Sequence, residues 1–420
     1  MKAEVIAIGD ELLLGDVGNG NAQHISRRLS AVSIEVAFHT TVGDNIGVIA
    51  QAIRAAIGRV DAVVMTGGLG PTHDDLTREA ISEATGRKLV FHPELEEDLR
   101  RWHDDAGREM TEINLKQAYL PEGAVPVDNP IGTAPGLALE HDRTWLFALP
   151  GVPEEMVAML DDGVVARLGP LVTGEIRVSH TLRVAGIPEA ELAERIASTI
   201  KMLESSGNTS MALLPSPSKG EIAIRIDARA RNHHEGYINA FQVESRLRNI
   251  LGSLIYGPAD STLPGAVADA LRENNKTLAT AESFTGGQLV SSLISVPDAS
   301  EFLLAGYVTY SLEAKMRDLG VPADLLNEHG AVSAEVARAM AEGARKTAAA
   351  DVGVSTTGEA GPDPAEEPVG TMYIGIAWDG GSEARKFFTM GERDHIRTWG
   401  THAALNSLRL WLAGESTGGD

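Results

Sequence analysis

The chain has 420 residues, 43% of them hydrophobic, with 59 acidic against 36 basic side chains, a formal net charge of −23 and no cysteine. That length exceeds one ordinary core and points to two or three domains, while the lack of cysteine excludes disulfides, thiolate nucleophiles and Cys-ligated zinc. The charge argues against nucleic acid or an anionic membrane as partner, so any phosphate site must be built locally from backbone N–H groups, helix N-termini and placed Arg or Lys.

No stretch approaches the roughly 20 apolar residues of a membrane span. The N-terminus, "MKAEVIAIGDELLLGDVGNG", puts acids and glycines where a signal peptide needs an apolar segment and a cleavage site. A cytoplasmic protein is expected. In chain order, "AEVIAIG", "NAQHISRRLSAV", "IEVAFHTTVG", "IGVIAQAIRAAIG" and "DAVVMTGG" alternate short β-rich runs with amphipathic helical ones. This is the rhythm of a doubly wound parallel sheet with helices on both faces, assigned to a first α/β domain over 1–168.

Residues 169–257 predict a small α+β module, from "EIRVSHTLRVAG", "PEAELAERIASTI", "GEIAIRIDARA" and "NAFQVESRLRNILG", with turns at "GNTS" and "PSPSKG". A third, α/β domain over 258–415 follows. It has strands at "TLATAES", "AGYVTYS", "ADVGVSTTG", "TMYIGIAWDG" and "ARKFFTMG", and its last helix is "DHIRTWGTHAALNSLRLWLAG".

In the first domain, "DAVVMTGGLGPTHDDLTREAISEATG" runs a buried strand into a glycine loop, after which Asp74 and Asp75 are expected to start a helix. Gly67, Gly68 and Gly70 allow close backbone approach, and the helix start offers unpaired N–H groups, which together make a phosphate site. Two acids beside a phosphate repel it unless a divalent cation bridges them, as a Mg²⁺-type ion would. The alternative is that either Asp merely caps the helix. Loops at "NPIGTAPG", with Gly132, Thr133 and Gly136, and at "LPGVPEEM" are expected at the same sheet edge.

These motifs, together with "GDELLLG" and "NLKQAYLP", resemble the N-terminal domain of the CinA (competence/damage-inducible protein A) family. The resemblance implies a molybdopterin-binding-like fold and, for several members, a metal-dependent ADP-ribose pyrophosphatase using Mg²⁺, Mn²⁺ or Co²⁺.

In the last domain, His329, His395 and His402 are poorly placed as bases, and the pair His233 and His234 has no third ligand for a metal. A Ser–Lys arrangement remains, with a lysine kept neutral by burial; "DASEFLLAGYVTYSLEAK" offers Ser300, Tyr310 and Lys315, or merely a helix cap and a surface lysine. "TAESFTGG", "SEFLLAGYVTYSLEAK", "HGAVS", "STTGEAGPDPAEEPVGT" and "GERDHIR" resemble, in this order, the C-terminal CinA domain. That domain is a nicotinamide mononucleotide (NMN) deamidase, which releases ammonia and leaves nicotinate mononucleotide.

The resemblance implies Ser300 as nucleophile and Lys315 as its base. It further implies Tyr310 beside the dyad, Thr357 near the reacting carbonyl as an oxyanion donor, and Arg393 as the arginine of the G-x-R motif. Two serines compete for attention. Ser283 opens a strand-to-helix turn as a nucleophile would, but the pattern is not G-x-S-x-G. With Ser300 assigned to the chemistry, Ser283, Thr285, Gly286 and Gly287 are expected to cradle the phosphate or ribose of NMN. The chain departs from the family at Asp298 and Ala299, at Phe284 where Cys is common, and at Leu312 where Asn is common. The whole implies a homodimeric hydrolase acting on NMN and ADP-ribose. A binding protein for a pterin-like or nucleotide ligand, with silent sites, is the alternative.

Overall fold

A computed structural model describes residues 1–364 and 367–415, without the side chain of Ser206. Its contacts divide the chain into two compact units. One comprises Met1–Ser179 and Ala228–Tyr237; the other holds the rest of the described residues, so most of the middle module groups with the C-terminal domain.

In the first unit, strands β1 (Lys2–Ile8), β2 (Glu35–Val42), β3 (Ala62–Thr66), β4 (Val125–Val127), β5 (Gly136–His141) and β6 (Thr144–Leu149) form one sheet in the order β2-β1-β3-β6-β5-β4. The pairs β1–β2, β1–β3 and β3–β6 are parallel, and β5 and β4 add antiparallel. Helices cover both faces because β1 is apolar at every position but Lys2 and Glu4, and all but Lys2 are buried. Ile6 and Ile8 pack on one core with Ile49, Ile53 and Met65; Ala3 and Val5 pack on the other with Ile25, Leu29 and Phe147. That two-sided burial is what a doubly wound parallel sheet demands of its strands. Helix α1 (Gly20–Ala31) is capped by Asn19, and α2 (Ile46–Ile57) by Asn45.

The middle module has β7 (Ile176–Ala185), α3 (Glu189–Ser206), β8 (Thr209–Ser216), β9 (Glu221–Ala230), α4 (His233–Leu251) and β10 (Ile255–Pro258), with sheet order β8-β9-β7-β10. Of the "GNTS" expected as a turn, Gly207 and Asn208 form a bend, while Thr209 and Ser210 begin the edge strand β8.

The C-terminal sheet has the five strands read from the sequence: β11 (Leu278–Glu282), β12 (Leu303–Val308), β13 (Val352–Gly358), β14 (Thr371–Trp378) and β15 (Gly381–Phe388), in the order β12-β11-β13-β14-β15. The first three run parallel, so the turns that leave β11, β12 and β13 share one edge. Helix α5 (Gln288–Ile294) follows β11, α6 (Leu312–Leu319) follows β12, and α7 (Arg393–Leu412) closes the domain. Among the described residues no helix is long and apolar enough to cross a membrane.

Candidate active sites

The turn after β11 is set from beneath by Glu282, which is fully buried. Its carboxylate accepts from the backbone N–H of Gly287 (2.9 Å), Leu289 (3.0 Å) and Val290 (2.8 Å), and from the Thr285 hydroxyl (2.7 Å). A buried carboxylate is tolerable with that many donors, and it satisfies the first orphan N–H groups of α5. From the other side Arg397 of α7 donates to the carbonyls of Phe284 and Thr285, both at 3.2 Å. Ser283 is held by its own N–H on the Thr356 carbonyl (2.9 Å) and is almost fully buried.

Lys315, on α6, is 1% exposed. Its Nζ lies 2.9 Å from Ser283 Oγ, 2.8 Å from the Thr309 carbonyl and 3.3 Å from the Tyr310 carbonyl. No carboxylate pairs with it there, and burial pulls its pKa down to about 8.

Ser300, assigned as nucleophile from the resemblance, does not join this group. It is exposed in a short 3₁₀ turn, Ala299–Glu301, just before β12, whereas Lys315 reaches the carbonyls just after β12. Parallel pairing matches Leu303 with Leu278 and Val308 with Glu282, so Ser300 is at the opposite edge of the sheet from Ser283. Six strand residues separate the two edges by about 20 Å, beyond any lysine side chain.

Three further assignments change. Gly286 N–H is bound to the Ser283 carbonyl (3.1 Å) and Gly287 N–H to Glu282, while the Thr285 hydroxyl is buried between Glu282 and Thr356. These groups stiffen the turn and have no donor left for a ligand phosphate. Thr357 is buried and gives its hydroxyl proton to the Ala331 carbonyl (2.6 Å), so it is not an oxyanion donor. Tyr310 meets Lys315 only through its carbonyl; its phenol is exposed and accepts from Arg393 Nη2 (3.3 Å), whose Nη1 holds the Gly361 carbonyl (2.6 Å). Arg393 and Tyr310 therefore rim the same mouth.

Phe284 fills the position where the family often has Cys by packing on Ala360, Met372 and Ile396. Leu312 is an exposed first residue of α6 and touches neither dyad atom's hydrogen bonds. Positions 365 and 366 of the "GPDPAEEP" motif lie outside the described residues.

In the first unit the glycine loop leaves β3 at Gly67, whose φ of 109° only glycine adopts readily and whose added Cβ would stand 2.1 Å from the Ile8 carbonyl. The loop carbonyls all point inward. Gly67 accepts from Thr77 Oγ1 (2.7 Å), Gly68 from Thr77 N–H (3.1 Å), and Leu69 and Gly70 from the guanidinium of Arg78 (2.8 and 2.9 Å). Arg78 is 1% exposed, and burial holds its pKa down at about 10. With the carbonyls engaged inward, the N–H groups of Gly68, Leu69 and Gly70 have no protein acceptor among the described residues. That is the arrangement of an anion nest.

The helix after this loop runs over Thr77–Thr85, not from Asp74. Asp74 and Asp75 instead fold back on Thr72: Asp75 Oδ2 accepts from Thr72 N–H (2.8 Å) and Oγ1 (2.5 Å), and Asp74 from the same hydroxyl. Neither caps the helix, and no proton donor reaches Asp75 Oδ1 among the described residues. Asp10 and Asp44 exchange backbone-to-carboxylate hydrogen bonds alongside (2.9 and 3.1 Å). Burial raises the pKa of Asp44, the Asp10 N–H opposes this, and the charges of Asp10, Glu11 and Asp74 add to the rise.

Asp10, Asp44, Arg78 and Lys116, which donates to the Thr72 and Asp75 carbonyls, were not singled out from sequence. "GDE" after a strand was the available signal for Asp10. Among the described residues no three His, Asp or Glu side chains converge as a ready metal cage.

The other glycine loop is partly separate. Gly132 N–H is held by Asn129 Oδ1 (2.9 Å), and Thr133 accepts from Gln117 (3.3 Å), both lining a hollow of about 270 Å³ beside Trp102. Gly136 lies inside β5 opposite Val127, where a Cβ would press on the Ala148 carbonyl at 2.8 Å, so it serves strand packing and not a ligand. A second hollow, of about 370 Å³, opens at the ends of β1, β3 and β6 beside Ile8, Asn21, His24, Thr66 and Gly151.

The chain matches three family models in series: the probable molybdopterin binding domain over 4–169, the damage-inducible protein CinA KH domain over 179–257 and the CinA C-terminal domain over 260–412. It is 44% identical to a CinA-like protein of Frankia casuarinae over 99% of this chain and 97% of that one. The chain belongs to the CinA family. It is also 41% identical to a putative competence-damage inducible protein of Acetivibrio thermocellus, over 98% of this chain and 99% of the relative. A crystal structure of CinA from Thermoplasma acidophilum, titled as of unknown function, is 34% identical with a TM-score of 0.38, covering 40% of this chain and 97% of that one.

Proposed function

We propose that the C-terminal domain of this CinA family member is a serine amidohydrolase whose nucleophile is Ser283 and whose base is Lys315, acting on the carboxamide of NMN. The observation that carries this reading is the 2.9 Å contact between the Nζ of buried Lys315 and Ser283 Oγ, with no carboxylate paired to that lysine among the described residues. The neutral amine takes the Ser283 proton as Oγ attacks the amide carbon. The resulting ammonium returns a proton to the leaving ammonia, and water then cleaves the acyl-serine with the same lysine as base. The N–H groups of Phe284 and Thr285 have no acceptor among the described residues. As the groups following the nucleophile, they are suited to the developing oxyanion.

NMN as substrate rests on the motif resemblance, and Arg393 at the mouth offers its phosphate a partner. Ammonia release from NMN tests the assignment: Ser283→Ala should lose about 10³-fold or more in kcat, and Ser300→Ala should stay within about twofold of wild type. Wild-type turnover in Ser283→Ala would sink the dyad.

The first domain is proposed to hydrolyse ADP-ribose to AMP and ribose 5-phosphate with a divalent cation. The outward N–H groups of the loop at 68–70 suit a pyrophosphate. Asp74 and Asp75, with Asp10 and Asp44 adjacent, suit an ion that takes its remaining ligands from phosphate oxygens and water. Such an ion, when bound, would supply charge neutralisation at the pyrophosphate. Arg78 holds the Leu69 and Gly70 carbonyls and so presents the loop's N–H groups, while Lys116 holds the Thr72 and Asp75 carbonyls of the following turn. Release of AMP from ADP-ribose with Mg²⁺, Mn²⁺ or Co²⁺ should vanish in Asp75→Ala; if activity persists, the carboxylates are not the ion's holders.

Recycling of pyridine nucleotides is the reading both proposed activities support, and a cytoplasmic homodimer is its proposed setting on the sequence reading and the motif resemblance alone.

A further inference from the structure

Within the second unit, the turn at Pro217–Lys219 and Gly220 of the middle module faces α7 and β15 of the C-terminal domain across a hollow of about 100 Å³. Its walls supply donors. The Arg385 guanidinium lines the hollow and makes no hydrogen bond among the described residues, its Nη2 being closed off from water, and desolvation holds its pKa below the usual guanidinium range. Lys219 enters from the turn. Asn406 Oδ1 accepts from Arg409 Nη2 (2.7 Å), which commits that oxygen and turns Nδ2 toward Gly186 on the wall, where an added Cβ would stand 2.5 Å from it. His402 gives Nδ1 to Glu221 (2.7 Å) and lines the hollow with the rest of its ring. No Asp or Glu lines it.

A buried guanidinium nitrogen without an acceptor carries a desolvation cost that an anion would offset. In a chain of net charge −23 the wall itself carries cations and no carboxylate, the nearest acids being Glu221, bonded to His402 and close to Lys219, and Glu383, close to Arg385. Liquid water occupies about 30 Å³ per molecule, so the space suits one tetrahedral oxyanion and excludes a nucleotide.

We propose that this hollow binds a small oxyanion of the phosphate type, held by Arg385, Lys219 and the Asn406 amide, which joins the middle module to the C-terminal domain. The site is independent of both proposed activities. Trp399 lines it and serves as the local reporter.

The test titrates inorganic phosphate into the full chain at constant ionic strength, with chloride as the balancing anion. Tryptophan fluorescence and the thermal midpoint are the readouts. Saturable changes in both are expected, and Trp399→Phe should remove the fluorescence response while keeping the thermal shift. Arg385→Met should abolish both changes. Lys219→Met, at an exposed position that leaves the core intact, should weaken binding about threefold to tenfold. Ribose 5-phosphate should bind at least about tenfold more weakly than the free ion, because a sugar has no room.

Three results would overturn the site: an equal response in Arg385→Met and Lys219→Met, which would place the phosphate at the glycine loops; an unsaturable rise shared with chloride, which would be a general salt effect; or ester binding as tight as the free ion.

Discussion

A lysine amine in its neutral form has two hydrogens and one lone pair. The Thr309 and Tyr310 carbonyls take the hydrogens of Lys315, so the lone pair is left for the Ser283 hydroxyl. In its ammonium form the same nitrogen donates to all three and cannot accept. The proposed base is therefore active only above its pKa of about 8. As pH falls below 8 the protonated fraction grows, and kcat/KM for NMN should fall about tenfold per unit from a plateau above pH 9. A pH–rate profile flat between 6 and 9 would remove Lys315 from the proton transfer. Lysine burial was legible as a requirement of any Ser–Lys chemistry, and Lys315, singled out on that ground, is buried against a serine hydroxyl. Its serine was not, because Ser300 is 15 positions away in sequence and Ser283 is 32, and sequence separation says nothing about which sheet edge a residue reaches.

At the scale of elements, both units fix a loop after a buried parallel strand by satisfying its polar groups from within. Glu282 collects N–H groups beneath the turn after β11; Arg78 collects carbonyls beneath the loop after β3. Each substitution orphans buried partners, at about 1–3 kcal/mol for each unsatisfied group. Glu282→Ala is expected to lower stability by about 3–5 kcal/mol, read as a lower urea midpoint with unchanged m-value. Arg78→Met is expected to cost about 2–4 kcal/mol and to raise the KM for ADP-ribose more than it lowers kcat. A urea midpoint within error of wild type for Glu282→Ala would mean that the turn holds without its carboxylate. The glycines at 286 and 287 were legible as turn residues, with φ of 61° and 93°. The Gly286 N–H goes to the Ser283 carbonyl and the Gly287 N–H to Glu282, directions no motif encodes, so the expected phosphate cradle is absent there.

Across the whole molecule the charge of −23 sets a repulsive field for anionic substrates. Screening shortens that field to about 10 Å at 0.1 M salt. Raising ionic strength from about 20 to 200 mM should therefore lower the KM for NMN by about twofold to fivefold, with kcat unchanged. A KM that rises with salt would instead show that local cations such as Arg393 dominate the encounter.

Legible in the sequence alone were the five strands of the C-terminal sheet, the βαβα start of the first domain, the glycine loops, the family and the want of any cysteine chemistry. Each of these follows from local periodicity, backbone permissiveness or composition. Only the tertiary structure decided that Ser283 and not Ser300 meets Lys315, and that the proton of Thr357 is spent on Ala331. It also decided that Arg78 stands beneath the first glycine loop. The pairing of parallel strands fixes which ends lie together, and hydrogen bonds between residues distant in the chain fix which donors remain free.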